Sequence, residues 1–310
     1  MVESDLPQAI LLMGPTASGK TALGVQLAKT LNGEIISVDS ALVYRGMDIG
    51  TAKPDSEERQ GVVHHLIDII DPSEVFSAGQ FREQALALID DITARGKMPI
   101  LVGGTMLYFN VLLKGMAKLP DADAVIRQQI DQQAAAEGWL AVHQRLQEVD
   151  PVSAKRIHPN DTQRTQRALE IYLLSGRSHT DWLKEQAAQA LPFNPMTFVI
   201  APSDRAVLHE NIILRFDQML ENGFLDEVKV LFDRADLDAN MPAIRAVGYR
   251  QAWAYLRGEC DYASFREKAI IATRQLAKRQ FTWLRQQQAA TWLETGDNLV
   301  QDKVMQQIKL

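Results

Sequence analysis

Residues 14–21 read Gly14-Pro15-Thr16-Ala17-Ser18-Gly19-Lys20-Thr21, a complete G-x-x-x-x-G-K-[ST] phosphate loop. The loop follows the apolar run Ala9-Ile10-Leu11-Leu12-Met13 and precedes the helix-forming stretch Ala22-Leu23-Gly24-Val25-Gln26-Leu27-Ala28. That order constrains the fold strongly. A buried strand delivers the chain to a glycine-rich turn, and a helix leaves from it, which is the opening unit of an α/β sheet. Backbone N–H groups in such a turn, with the positive end of the helix behind them, cradle an anionic phosphate. Gly14 and Gly19 permit the tight backbone, Lys20 reaches the terminal phosphates, and Thr21 is placed to hold magnesium. The loop defines a phosphate grip without naming the molecule that carries the phosphate.

Further short apolar runs at 35–38, 66–70, 100–102, 198–201 and 291–293 alternate with helical patterns. Such alternation predicts a mainly parallel sheet flanked by helices, a P-loop NTPase-like α/β fold. Ser77 and Gln80 form a capping-box pattern that opens a helix running to about Arg95, where Gly96 stops it. Pro99 begins the strand 100–102, which ends at Gly103-Gly104-Thr105. From 119 to 196 the strand signals vanish until a strand pattern resumes at 197–201. Helices are expected from Asp121 or Asp123 to just before Gly138, over 140–149 with a stop before Pro151, and from Asn160 or Asp161 to just before Gly176. The chain therefore reads as a core in two parts, 1–118 and 197–310, with an all-helical insertion domain at 119–196. Beyond Ser203 the pattern is mostly helical, with one helix over 206–220 halted by Asn222-Gly223 and a long one over 262–287.

Charge gives a mixed message. The net charge of −6 argues against indiscriminate nucleic-acid binding. Yet the window 274–285 carries Arg274, Lys278, Arg279 and Arg285 and no acid, and three of these, Arg274, Lys278 and Arg285, fall within about 40° on a helix. Either that face is simply solvated or it is the footprint of a nucleic-acid contact. The single cysteine, Cys260, excludes an internal disulfide and any cysteine-based zinc module, and reads as a small packed residue. His64, His65 and His158 lack metal-ligand spacing and read as structural. The acidic start Met1-Val2-Glu3-Ser4-Asp5 has no signal-peptide character, and no apolar stretch is long enough to span a bilayer. A cytoplasmic location, no membrane partner and a monomer are expected.

Asp39 closes the second apolar run, where a carboxylate faces the ligand crevice of an open α/β sheet. It can serve as a magnesium ligand or as a general base, and spacing alone does not separate the two. Thr105 stands at the end of another strand and points into the same crevice, although a tight turn with a capping threonine explains it equally well. Arg215, on the helix 206–220, can neutralise phosphate charge or be a surface arginine. These features also suit an ATP-dependent small-molecule kinase or a P-loop RNA-binding regulator.

Taken together, the segments closely resemble the bacterial tRNA dimethylallyltransferases, also called tRNA isopentenyltransferases. The resemblance rests on the phosphate loop and on the stretch 39–54, Asp39-Ser40-Ala41-Leu42-Val43-Tyr44-Arg45-Gly46-Met47-Asp48-Ile49-Gly50-Thr51-Ala52-Lys53-Pro54. It continues through 101–108, 163–170, 245–251 and 273–280, in order along nearly the whole chain. The resemblance implies transfer of a dimethylallyl group from dimethylallyl diphosphate to the exocyclic amine of the adenosine 3′ of the anticodon, in tRNAs reading codons that begin with U. Gly14, Pro15, Thr16, Ala17, Ser18, Gly19, Lys20 and Thr21 would then hold a diphosphate, with Mg²⁺ on Thr21. Asp39 would take the amine proton, while Lys20, Thr105 and Arg215 would serve the leaving group. It implies tRNA contacts, centred on the anticodon stem-loop, from Asp39, Ser40, Ala41 and Leu42, from Gln163, Arg164, Thr165, Gln166 and Arg167, and from Arg245, Ala246, Val247, Gly248, Tyr249 and Arg250. The last such group is Thr273, Arg274, Gln275, Leu276, Ala277, Lys278, Arg279 and Gln280. The longer eukaryotic members carry a C-terminal zinc finger that this sequence lacks.

Overall fold

A computed structural model describes residues 6–117, 119–185 and 190–308; the acidic segment 1–5 lies outside them. Six strands form one parallel sheet: β1 (Gln8–Met13), β2 (Gly33–Val38), β3 (His64–His65), β4 (Met98–Gly103), β5 (Asn194–Ala201) and β6 (Thr291–Glu294), in the order β3-β2-β4-β1-β5-β6. β1 lies between β4 and β5, with Leu11 opposite both Leu101 and Thr197. Parallel sheets bury both faces, so their strands are apolar throughout rather than alternating. Here Ala9, Leu11 and Met13 enter one core cluster, while Ile10 and Leu12 enter the other. The pleat alone sorts these consecutive residues between the two layers.

The helices are α1 (Lys20–Thr30), α2 (Ser56–Arg59), α3 (Ala78–Ala94), α4 (Met106–Lys114), α5 (Ala124–Glu137), α6 (Trp139–Val149) and α7 (Pro151–Arg156). They continue with α8 (Thr162–Ser175), α9 (His179–Lys184), α10 (Arg205–Glu221), α11 (Phe224–Phe232), α12 (Tyr249–Leu256), α13 (Tyr262–Leu284) and α14 (Val300–Met305). The smaller core layer is built by α1 and α14, through residues such as Leu23, Leu27, Val300 and Val304. The larger layer is built by α3, α4 and α10 to α13. Gly24 is required on α1, because any side chain there would run into Val102 of β4.

Two of the expected details change, and one helix is added. The run 66–70 is not a strand; β3 ends at His65, and Leu66 and Asp68 both take positive φ, which no strand accommodates. The helix over 140–149 does stop before Pro151, but Pro151 then opens a further helix, α7, with the Asp150 side chain capping it and the proline at the first helical turn, where its missing N–H costs nothing. The compact units divide after 113 and after 190 rather than after 118 and 196. Leu113, Leu191 and the fully buried Phe193 belong to the core of the sheet unit.

Within the unit 114–190, α5 is capped by Asp123 and ends at Gly138, and α8 is capped by Asp161 and ends at Gly176. Ile130, Ala134, Val142 and Leu169 form its main apolar cluster, and Leu146, Ala154, Ile157 and Ala168 a second. Its fully buried Glu170 accepts from the Asp123 amide (2.8 Å) and pairs with Arg127 (2.9 Å) and Arg167 (2.6 Å).

Candidate active site

The phosphate loop sits where β1 hands over to α1. Gly14 is needed for close approach, since a side chain there would strike the Ile200 carbonyl. Gly19 (φ 81°) and Ala17 (φ 63°) both adopt left-handed backbone, which turns successive N–H groups into a concave nest. A left-handed alanine is a local strain that a ligand site retains. No side chain caps α1, so its first N–H groups remain available to an anion. Lys20 folds back so that its ammonium donates to the Pro15 carbonyl at 3.1 Å.

The ends of β2 and β4 supply the facing wall. Asp39 Oδ1 accepts from the amides of Ala41 (2.8 Å) and Leu42 (3.4 Å), which fixes the carboxylate, and Oδ2 accepts no hydrogen bond among the described residues. The Thr105 hydroxyl accepts from the Ser40 amide at 3.0 Å, tying the two strand ends together rather than capping α4. Gly103 admits no side chain because the Val38 carbonyl occupies that space. These residues line one cavity of about 550 Å³ with Lys20, Thr21 and Arg215. Ile212, Phe216, Met219, Leu276 and Trp283 line the same cavity. An anion grip and an apolar wall therefore share a volume suited to a small ligand.

Lys20, Asp39 and Arg215 form no ion pair among the described residues, yet they feel one another. Burial and the Arg215 charge lower the Lys20 pKa to about 8, against the raising effect of Asp39. Burial lowers that of Arg215 too, opposed by Asp39 and Glu58. Two crowded cations with one carboxylate leave the cavity hungry for a polyvalent anion.

The expected contact residues divide. Asp39, Ser40, Ala41, Leu42, Arg245, Ala246, Val247, Gly248, Thr273, Leu276, Arg279 and Gln280 line the cavity. Gln280 nevertheless departs from the expected role. It is 8% exposed, its Oε1 accepts from the Thr16 amide (2.9 Å), and its Nε2 donates to the Gly104 carbonyl (2.8 Å). Its side chain is thus consumed in bracing the phosphate loop against the end of β4. Tyr249, Ala277 and Thr165 are likewise buried, so their side chains present nothing to an outside partner. Arg250, Gln275 and Lys278 are exposed and Arg274 half-buried, all outside the cavity lining. The Arg274/Lys278/Arg285 face lies roughly 175° around the helix axis from the α13 positions that line the cavity, leaving Arg279 as the helix's one basic lining residue. On α8, Gln163 and Arg164 are exposed. Gln166 donates to Asp131 (2.7 Å), and Arg167 is engaged by Glu170 and by the Pro120 carbonyl.

Sequence reasoning missed Glu227. Its carboxylate accepts from the amides of Asp48 (2.7 Å), Ile49 (2.7 Å) and Gly50 (3.0 Å), and from the Tyr249 hydroxyl. Its only local signal was an acid in the first turn of a helix, which is common wherever a helix starts.

The profile of the IPP transferase family matches residues 42–287. The chain belongs to that family. It is 58% identical over 309 residues to the tRNA dimethylallyltransferase of Methylococcus capsulatus (strain Bath), covering 100% of this chain and 99% of the relative. A crystal structure of a tRNA isopentenylpyrophosphate transferase from Bacillus halodurans aligns with a TM-score of 0.70 at 40% identity, over 97% of this chain and 94% of that one. A eukaryotic dimethylallyltransferase solved acting on tRNA aligns with a TM-score of 0.81 at 30% identity, over 97% of this chain and 77% of that one. No described helix is long and apolar enough to cross a membrane.

Proposed function

We propose that this chain, a tRNA-modifying dimethylallyltransferase, acts on N6 of the adenosine 3′ of the anticodon in tRNAs reading U-starting codons. The donor is dimethylallyl diphosphate and the second product is diphosphate. The observation that carries this reading is the cavity itself, which a phosphate loop, the cations Lys20 and Arg215, and the apolar Ile212, Phe216, Met219 and Trp283 line together. A prenyl diphosphate is an anion joined to a short branched hydrocarbon, and such a cavity suits both halves. A small-molecule kinase leaves the helical unit 114–190 without a purpose, and a nucleotide-switched regulator gives no reason for Thr105 and Arg215 to share the cavity with the loop.

In the reaction the allylic C–O bond breaks and a C–N bond forms, with the electron pair leaving on the diphosphate. An adenine amine is a weak nucleophile, so positioning and proton removal matter. Asp39 Oδ2 accepts the N6 proton, while Oδ1 stays fixed by the amides of Ala41 and Leu42. Lys20, Arg215 and the N–H groups at the start of α1 stabilise the charge that builds on the departing diphosphate. Thr105 orients a leaving-group oxygen. The base leaves its stack to reach Asp39, at a cost of a few kcal/mol that is least in a single-stranded loop, and an anticodon loop meets that condition.

Magnesium fits at Thr21. This exposed hydroxyl opens α1 next to Lys20, and no group of three His, Cys, Asp or Glu residues suited to a metal occurs among the described residues. A magnesium ion commonly rests on one protein hydroxyl and the phosphate oxygens of its ligand. When bound, it neutralises diphosphate charge. The exposed Arg245 and Arg279 at the cavity, and Gln163 and Arg164 on α8, are the side chains offered to the tRNA, and a monomer working in the cytoplasm completes the proposal.

Incubation with labelled dimethylallyl diphosphate and unmodified tRNA, followed by nucleoside digestion, tests this reading. Label on N6 of the adenosine next to the anticodon is the expected result. Label elsewhere, or none with ATP consumed instead, would overturn it.

A further inference from the structure

The loop 47–54 contributes Gly50, Thr51 and Ala52 to the cavity, yet it belongs to no strand or helix. Three consecutive amides, from Asp48, Ile49 and Gly50, converge on the carboxylate of Glu227. Oε2 takes the first two at 2.7 Å each, and Oε1 takes the third at 3.0 Å together with the Tyr249 hydroxyl. Converging backbone amides of this kind ordinarily bind a free anion. Here the protein's own side chain fills the nest, and no cation pairs with it among the described residues. Packing reinforces the same contact. Gly50 lies so close to the Phe224 and Tyr249 rings that any side chain would collide with them, and those two rings meet edge to face at 5.2 Å.

The loop in turn touches the chemistry. The Thr51 carbonyl accepts from Arg215 Nη2 at 3.4 Å, the one hydrogen bond that Arg215 makes among the described residues. Where the loop sits therefore decides where the guanidinium points. We propose that Glu227, held by Tyr249, is a positioning residue that sets the loop 48–51 and, through the Thr51 carbonyl, aims Arg215 at the diphosphate. The inference rests on the transferase reading for its link to rate, but not for its link to anion binding.

A double-mutant cycle tests it. Glu227→Gln keeps the shape of the side chain but turns one acceptor oxygen into a donor facing an amide. The expected loss in kcat/KM for dimethylallyl diphosphate is about 10- to 100-fold, with tRNA affinity changed less than about threefold. Tyr249→Phe removes only the hydroxyl and is expected to lose about three- to tenfold. In an Arg215→Gln background both changes should cost less than about threefold more, because residues acting through one another do not add. Calorimetry with inorganic pyrophosphate reads the same coupling without any transfer, so a failed transferase reading leaves this test standing. Equal losses in both backgrounds, or wild-type behaviour of either single variant, would overturn the proposal. Should Glu227→Gln not fold by circular dichroism, the cycle with Tyr249→Phe decides alone.

Discussion

Two clusters of charge, one in each unit, handle it in opposite ways. In the sheet unit, Lys20, Asp39 and Arg215 gather around one cavity without an ion pair among them, and Lys20 is left with a pKa near 8. In the unit 114–190, Arg127 and Arg167 both pair with the buried Glu170. Burial raises the Glu170 pKa, but the two arginines and the Asp123 amide outweigh it and hold the carboxyl below its ordinary range. Unpaired charge in a cavity is a binding and catalytic resource. Charge already neutralised by a neighbour is mostly structural. Counting arginines in a sequence does not separate the two, and nothing in the sequence announced that Arg167, read as an RNA contact, pairs with Glu170.

Substitutions in both places sharpen that contrast. The largest effect among the cations is expected for Lys20→Met, which removes a donor to the leaving group. Steady-state kinetics should show a loss of about 10²- to 10³-fold in kcat/KM, with the melting temperature held or raised because a desolvated ammonium is gone. A fall in melting temperature of several degrees would place Lys20 with the structural charges instead.

Glu170→Ala should do the reverse. It leaves two arginines facing each other, at a cost of about 2 kcal/mol to the helical unit, read as faster amide exchange along α5 and α8. Unchanged exchange would show that the Glu170 pairs contribute nothing. The pH dependence of Lys20 gives a tenfold-scale effect with a definite sign. Its pKa in the free protein is lowered to about 8, so the amine is increasingly neutral above that pH, while a bound anion favours the ammonium. Pyrophosphate affinity should thus be flat below about pH 7 and fall up to tenfold per unit above pH 8, with proton uptake seen by calorimetry in two buffers. Affinity that does not change from pH 7 to 9.5 would contradict the assignment. The smallest effect belongs to Lys278→Glu, on the face of α13 away from the cavity. It should weaken tRNA binding about two- to threefold, mostly at low salt. A tenfold loss would make that face a main RNA contact.

What the sequence made legible follows from how local each signal is. The phosphate loop, the Ser77/Gln80 capping box and the Asp123–Gly138 and Asp161–Gly176 helix limits were all readable, because each rests on chemistry within a few residues. The 66–70 run misled because apolar residues alone do not report a positive φ at Leu66. The stop before Pro151 was legible but the helix α7 that begins there was not, because proline both follows helices and starts them, and Asp150 beside it was the overlooked cap. Of the site, Asp39 and Thr105 were legible from their positions at strand ends. Gln280 and Glu227 were not. Gln280 reaches across 264 residues to Thr16, and Glu227 across 179 to Asp48, so no local pattern encodes either contact.

Asp39 is proposed to remove the proton from the adenine amine inside the cavity that grips the diphosphate. Single-turnover transfer by Asp39→Asn, with both substrates saturating, addresses it most directly. The expected result is a rate about 10²- to 10⁴-fold below wild type, with the affinities for pyrophosphate and tRNA each within about threefold. A rate close to wild type under those conditions would show that the proton goes elsewhere.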